Sequence, residues 1–152
     1  MYSLDTSGFL DAWTRHYPPD TFPAFWDRMD AAACAGKIKV SEEVVHELEK
    51  KDDGAADWIK ARPWMIVATD ESIQEKVKEI LAAHPRLINA SKSRSGGDPF
   101  VIAVAAVHGY AVVTGELPSG SPKRPRIPDV CTGMAIPCQN LLEFVRSQGW
   151  RF

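Results

Sequence analysis

Four acids in this 152-residue chain stand where a fold could gather them. Asp5 follows the short apolar-leaning stretch Tyr2-Ser3-Leu4. Glu47 lies beside the helical stripe Val44, Val45 and Leu48. Asp98 precedes Pro99 and the apolar run Phe100 to Val107. Glu116 comes two residues past Thr114, where the stretch from Tyr110 ends. Carboxylates brought together need a counter-charge, because two unit charges ~4 Å apart repel by about 4 kcal/mol at an effective dielectric of ~20. A divalent cation removes that penalty, and all-oxygen ligands favour a hard ion, Mg²⁺ or Mn²⁺, over Zn²⁺. Such an ion polarises phosphate, generates hydroxide from water and stabilises a leaving oxygen.

The elements that must position these acids follow from local pattern. Tyr2–Leu4 reads as a strand, followed by a helix through Phe9, Leu10 and Trp13 with Thr6 or Ser7 as its cap, broken at Pro18-Pro19. A second helix runs through Phe25, Trp26, Met29 and Ala33 to Gly36, and Ile38 and Val40 mark a short strand. Ser41 followed by Glu42 and Glu43 is a strong helix start, a capping hydroxyl followed by negative charge at the positive end of the dipole. Ala55–Ala61 and Ile73–Ala83 read as helices around a strand within Trp64–Ala68. Asp98-Pro99 opens a helix that is apolar on every face and therefore buried on most sides. Tyr110–Thr114 reads as a buried strand and Gly115–Pro128 as a long loop. A last helix runs from about Asn140 to Ser147, and Trp150–Phe152 reads as a final short strand. Strands alternating with helices imply a parallel α/β sheet, in which ligands gather outside the carboxyl ends of the strands. Asp5 and Glu116 both fall on that edge.

Length and composition fit one globular domain spanning 1–152, with 45% hydrophobic and 25% charged residues. The net charge of −2 excludes a globally basic nucleic-acid binder. No apolar run is long enough for a bilayer, and the start Met-Tyr-Ser-Leu-Asp lacks the features of a secretion signal. Cys34, Cys131 and Cys138 are odd in number and lack metal-site spacing, which predicts reduced thiols and a cytoplasmic protein. Each acid also has an ordinary reading: Asp98 as a helix cap, Glu47 as a partner of Lys50 or Lys51, Glu116 as a loop acid. Glu43, one turn before Glu47, competes for its place. His46 beside Glu47 has no second histidine at zinc-site spacing. Trp13 and Trp26 are candidates for a partner surface.

Four segments in order resemble the PIN-domain family. Tyr2-Ser3-Leu4-Asp5-Thr6-Ser7 resembles its opening strand, which ends in aspartate and small hydroxylated residues. Ser41 to Leu48 resembles its second motif, a helix ending in Glu-Leu. Asp98 to Ala105 resembles the third, an aspartate opening an alanine-rich helix, and Gly109 to Glu116 the fourth, a strand ending in threonine with an acid two residues on. The segment Arg126 to Cys131 resembles one poorly characterised branch. The resemblance implies a three-layer α/β/α fold around a parallel sheet of four to five short strands, and a Mg²⁺- or Mn²⁺-dependent endoribonuclease leaving 5′-phosphate and 3′-hydroxyl ends. Many such proteins are toxins of bacterial toxin–antitoxin pairs, so it also implies an antitoxin partner; a second copy of the chain is a further candidate partner. By position, Asp5, Glu47, Asp98 and Glu116 would be the catalytic, metal-binding acids and Thr114 would orient its neighbouring acid. The chain departs from the family in carrying glutamate at 116, where aspartate is common, and Ser119 where a further acid often follows. Asp129 is the candidate replacement. Arg86, Lys92 and Arg94 precede Asp98, and Lys123, Arg124 and Arg126 follow Glu116, so both basic loops are candidates for RNA phosphate contact. The competing reading is a catalytically silent PIN-like module that binds RNA or protein.

Overall fold

The computed structural model describes residues 1–88 and 97–152. The chain runs β1 (Tyr2–Leu4), α1 (Thr6–Leu10), a π-helical turn (Asp11–His16), α2 (Pro23–Cys34), β2 (Ile38–Ser41), α3 (Glu42–Lys51) and α4 (Asp53–Lys60). A 3₁₀ turn (Pro63–Met65), β3 (Ile66–Val67), α5 (Glu71–Ala83), α6 (Asp98–His108), β4 (Ala111–Val113), α7 (Ile127–Gly133), β5 (Cys138–Gln139) and α8 (Leu141–Ser147) complete it. The five strands are parallel and ordered β3-β2-β1-β4-β5. The predicted three-layer α/β/α architecture is present.

The order places a topological switch at β1. The chain moves from β1 outward to β2 and β3, then crosses back to β4 on the other side of β1. Right-handed crossovers in opposite directions put their helices on opposite faces and leave a crevice at the carboxyl ends of β1 and β4. Register fixes the edge: Leu4 lies beside Val113, and the Asp5 N–H donates to the Val113 carbonyl at 2.9 Å. Asp5 and Thr114 therefore leave the sheet side by side.

Local signals explain most elements. The Ser41 Oγ accepts the Glu43 N–H, as its place before two glutamates predicts. Asp52 caps α4 and Asp70 caps α5 in the same way. Helix α6 is buried along Val101–Ala105, and the Ser3 hydroxyl, fully buried in β1, donates to the Val101 carbonyl at 2.9 Å. That bond satisfies a buried polar group and pins α6 to the central strand. No described helix is long and apolar enough to cross a membrane.

Several expectations need correction. Asp5 occupies the N-cap position of α1, rather than Thr6 or Ser7, because its extended backbone ends the strand. Gly97 caps α6, and Asp98 is the first helical residue. The Gly115–Pro128 loop gives way to α7 at Ile127: Pro128 lies within the first turn, and the Asp129 carboxylate reaches back to the Arg126 N–H at 2.8 Å. Trp150–Phe152 is not a strand. The fifth strand is Cys138–Gln139, while Trp150 packs edge-on against Phe144 and Phe25, and Phe152 against Tyr17 and Phe25. Trp150, half-buried, and Phe152, half exposed, pack against the rim of an aromatic core instead of pairing along an edge. Trp26 is buried in that core with its indole N–H on the Tyr17 carbonyl, and half-buried Trp13 meets Phe9 and Trp26. Neither forms a free partner surface.

Candidate active site

Asp5 is 3% exposed at the switch point. Its Oδ2 accepts the Ser7 hydroxyl at 2.5 Å and the Thr114 hydroxyl at 2.9 Å. The Ser7 oxygen in turn accepts the Gly115 N–H at 3.0 Å, and the Thr114 oxygen accepts the Glu116 N–H at 3.1 Å. Two hydroxyls thus tie the aspartate of β1 to the segment that leaves β4. Burial pushes the Asp5 carboxyl up to about 6, and the charges of Glu116 and Glu47 push the same way against the two hydroxyl bonds. Asp5 therefore lies within electrostatic reach of both Glu116 and Glu47.

Glu47 reaches this edge from α3. Its Oε2 accepts the Thr6 hydroxyl at 2.7 Å, while Oε1 is buried with no hydrogen-bond donor among the described residues. Glu43 instead faces His46 at 3.6 Å, so of the two candidates α3 offers Glu47. The Glu47 carboxylate rests on Gly97: a Cβ built on Gly97 would lie 2.0 Å from Oε1 and 2.8 Å from Cδ. That contact brings the start of α6, and buried Asp98, to Glu47. Glu116 Oε2 accepts the Ile127 N–H at 2.9 Å, a bond that also holds the first turn of α7.

Among the described residues, no three His, Cys, Asp or Glu side chains stand grouped as a finished ligand set. The donor chemistry nevertheless fits a hard cation. The acids are all-oxygen donors, Asp5 carries the repulsion of two neighbours, and Glu47 keeps a buried oxygen to which no described residue donates.

Asp129 does different work. Its Oδ2 accepts the Ser119 N–H, the Ser119 hydroxyl and the Arg126 N–H, and its Oδ1 accepts the Gly120 N–H. Burial opposes its ionisation, but these bonds hold the carboxyl below its usual range. Both oxygens organise the loop after Glu116. Asp129→Ala is expected to cost about 1 kcal/mol in urea melts, the usual cost of a lost cap, and to open the 117–126 loop to limited proteolysis. Unchanged proteolysis would contradict this role.

Arg86, Lys123, Arg124 and Arg126 are exposed. Arg86 shares a cavity of about 620 Å³ with Ser121, Pro125 and Asp129, so the two basic loops meet. Lys92 and Arg94 lie outside the described residues. Local spacing could not reveal Gly97 against Glu47, nor Asp11 against Gly115, whose Cβ would lie 2.3 Å from Asp11 Oδ2. Thr6 and Ser7 stood in the sequence as candidate helix caps and hydroxylated neighbours of Asp5, not as partners of Glu47 and Thr114.

The sheet order and its switch point define a three-layer α/β protein of PIN-like fold. Residues 2–152 match the model of the family described as Domain of unknown function (DUF4411), and the chain belongs to that family. Among solved structures, VapBC2 from Rickettsia felis, bound to a DNA fragment from its promoter, aligns with a TM-score of 0.55 at 17% identity over 91% of this chain and 97% of that one. FitAcB from Neisseria gonorrhoeae aligns with a TM-score of 0.55 at 16% identity over 93% and 99%. These likenesses establish a shared fold. No curated protein matches the sequence.

Proposed function

We propose that this chain is a metal-dependent endoribonuclease, the toxin of a toxin–antitoxin pair acting in the cytoplasm. The observation that carries the reading is buried Asp5 at the switch point, charged against Glu47 and Glu116 and held by two hydroxyls. Asp5, Glu47, Asp98 and Glu116 would hold Mg²⁺ or Mn²⁺, directly or through water. When bound, that ion acidifies water and neutralises the charge that builds on a phosphodiester. Ser7 and Thr114 fix the Asp5 oxygen, and Thr6 fixes Glu47, so these ligands are oriented before substrate arrives. Arg86, Lys123, Arg124 and Arg126, with Lys92 and Arg94, would draw the RNA backbone to an edge whose own charge repels it. An antitoxin would cover that edge or place a basic side chain in it.

Labelled RNA incubated with the purified protein should be cut only with Mg²⁺ or Mn²⁺ and not by Asp5→Asn or Asp98→Asn. Cleavage surviving in both variants would overturn the assignment. The engagement of Glu116 with Ile127, and the open grouping of the acids, favour a second reading: a silent module that binds RNA or protein. Mn²⁺ would then produce no thermal stabilisation, whereas the nuclease predicts a shift that either substitution removes.

A further inference from the structure

A cavity of about 410 Å³ borders the acid edge, lined by Asp11, His16, Tyr17, Asn140, Leu141 and Leu142. Its walls are tied to the site. The Asp11 carboxylate lies over Gly115, between Thr114 and Glu116. Asn140 follows Gln139, whose carbonyl accepts the Thr114 N–H at 3.0 Å. A ligand group in the cavity would therefore sit beside the segment that joins Thr114 to Glu116.

The lining is also rigid. The π-helical turn widens the backbone at Asp11–His16 and closes with the Tyr17 N–H on the Ala12 carbonyl at 2.9 Å. Tyr17 stacks on Phe25 with ring centres 4.3 Å apart and planes 1° from parallel. The Asn140 Oδ1 caps α8 by accepting the Glu143 N–H at 2.9 Å, which leaves its NH₂ as the end available to a ligand. Asp11 is 22% exposed, and its pair with exposed Arg15 at 3.5 Å is a surface contact of little strength. Leu142, half exposed, supplies an apolar wall.

An acceptor pair, an amide donor, an aromatic edge and an apolar wall in a space of this size match the face and Watson–Crick edge of an unstacked base. Single-stranded RNA is read in this way. We propose that this cavity binds an unpaired guanine of the RNA, with Asp11 accepting from N1–H and the exocyclic N2 amine and Asn140 donating to O6. The proposal rests on the ribonuclease reading and adds the determinant of where the strand is cut. Adenine inverts the pattern by turning its N1 acceptor to the carboxylate. Uracil offers one donor where guanine offers two.

The test uses oligoribonucleotides with G, A, U or C at one position of an otherwise invariant cytidine tract. Mn²⁺-dependent cleavage by the wild-type protein, and anisotropy binding to Asp5→Asn, are measured for the set. Guanine should be preferred by about tenfold or more over adenine in both. Asp11→Asn and Asn140→Asp should each bring that ratio near unity; the latter keeps the oxygen that caps α8, so the fold is retained. Equal use of the four bases, or a guanine preference surviving in both variants, would overturn the guanine site alone. A wild-type protein that neither cuts nor binds any member of the set would overturn the ribonuclease reading, and the guanine site with it.

Discussion

Asp5→Asn should make the metal-free protein harder to unfold at neutral pH while abolishing its response to Mn²⁺ and its cleavage of RNA. Asp5 is an acid whose carboxyl is pushed up to about 6 in the fold, chiefly by burial. An acid shifted upward favours the fold in its protonated form, so the stabilisation is complete below about 4 and is lost as pH rises through about 6. By pH 7 ionisation costs the native state on the order of 3 kcal/mol, taking 1.4 kcal/mol for each tenfold change in proton affinity. Asparagine keeps an oxygen for the Ser7 and Thr114 hydroxyls and removes the charge. In EDTA, urea melts of the wild-type protein should weaken between pH 5 and 7.5, and those of Asp5→Asn should stay level across that range. With Mn²⁺ present the wild-type protein should gain stability mainly above pH 6, where the ion no longer competes with a proton. Parallel pH profiles for the two proteins would refute the placement of a strained charge at this position. Removing a group that weakens the fold but serves chemistry exchanges activity for stability.

Gly97→Ala should separate activity from stability in the opposite sense. Gly97 has φ −80° and ψ −20°, a conformation alanine adopts freely, so the backbone carries no objection to a side chain. The objection comes from Glu47. A methyl group placed 2.0 Å from Oε1 must expel the carboxylate, and with it the 2.7 Å bond from Thr6. Glu47 is the far end of a flexible chain, so it swings away at modest cost, and alanine recovers roughly 0.4–1 kcal/mol through the unfolded state. The melting midpoint should therefore move little while Mn²⁺ stabilisation and RNA cleavage fall about as far as in Glu47→Gln. Serine at 97 should behave like alanine. Retained Mn²⁺ affinity in Gly97→Ala would show that the position of Glu47 against α6 does not matter to the site.

Much of the site was legible before the fold because its members carry strong local marks. Asp5 ends an apolar stretch, Asp98 precedes a proline and eight apolar residues, and Ser41 stands before two glutamates. Each mark reflects a short-range rule: a strand end, a first-turn proline, a capped dipole. Glu47 was preferred to Glu43 on the resemblance alone, since both lie on one helix face; the contacts of Glu47 with Thr6 and Gly97, and of Glu43 with His46, distinguish them physically.

The sequence by itself determined the alternation of strands and helices, the buried α6 and the placing of Asp5, Asp98 and Glu116 at element ends, because hydrophobic period and capping act within a few residues. The tertiary structure alone decided what those acids meet. The two-residue β5 forms only because the β4 edge accepts it, α7 begins where Asp129 and Glu116 meet its free N–H groups, and Asp11 reaches the site because a π-helical turn carries it over Gly115. Contacts between residues tens of positions apart leave no periodic trace in the chain; they exist only once parallel pairing of β1 with β4 has brought the segments to one edge.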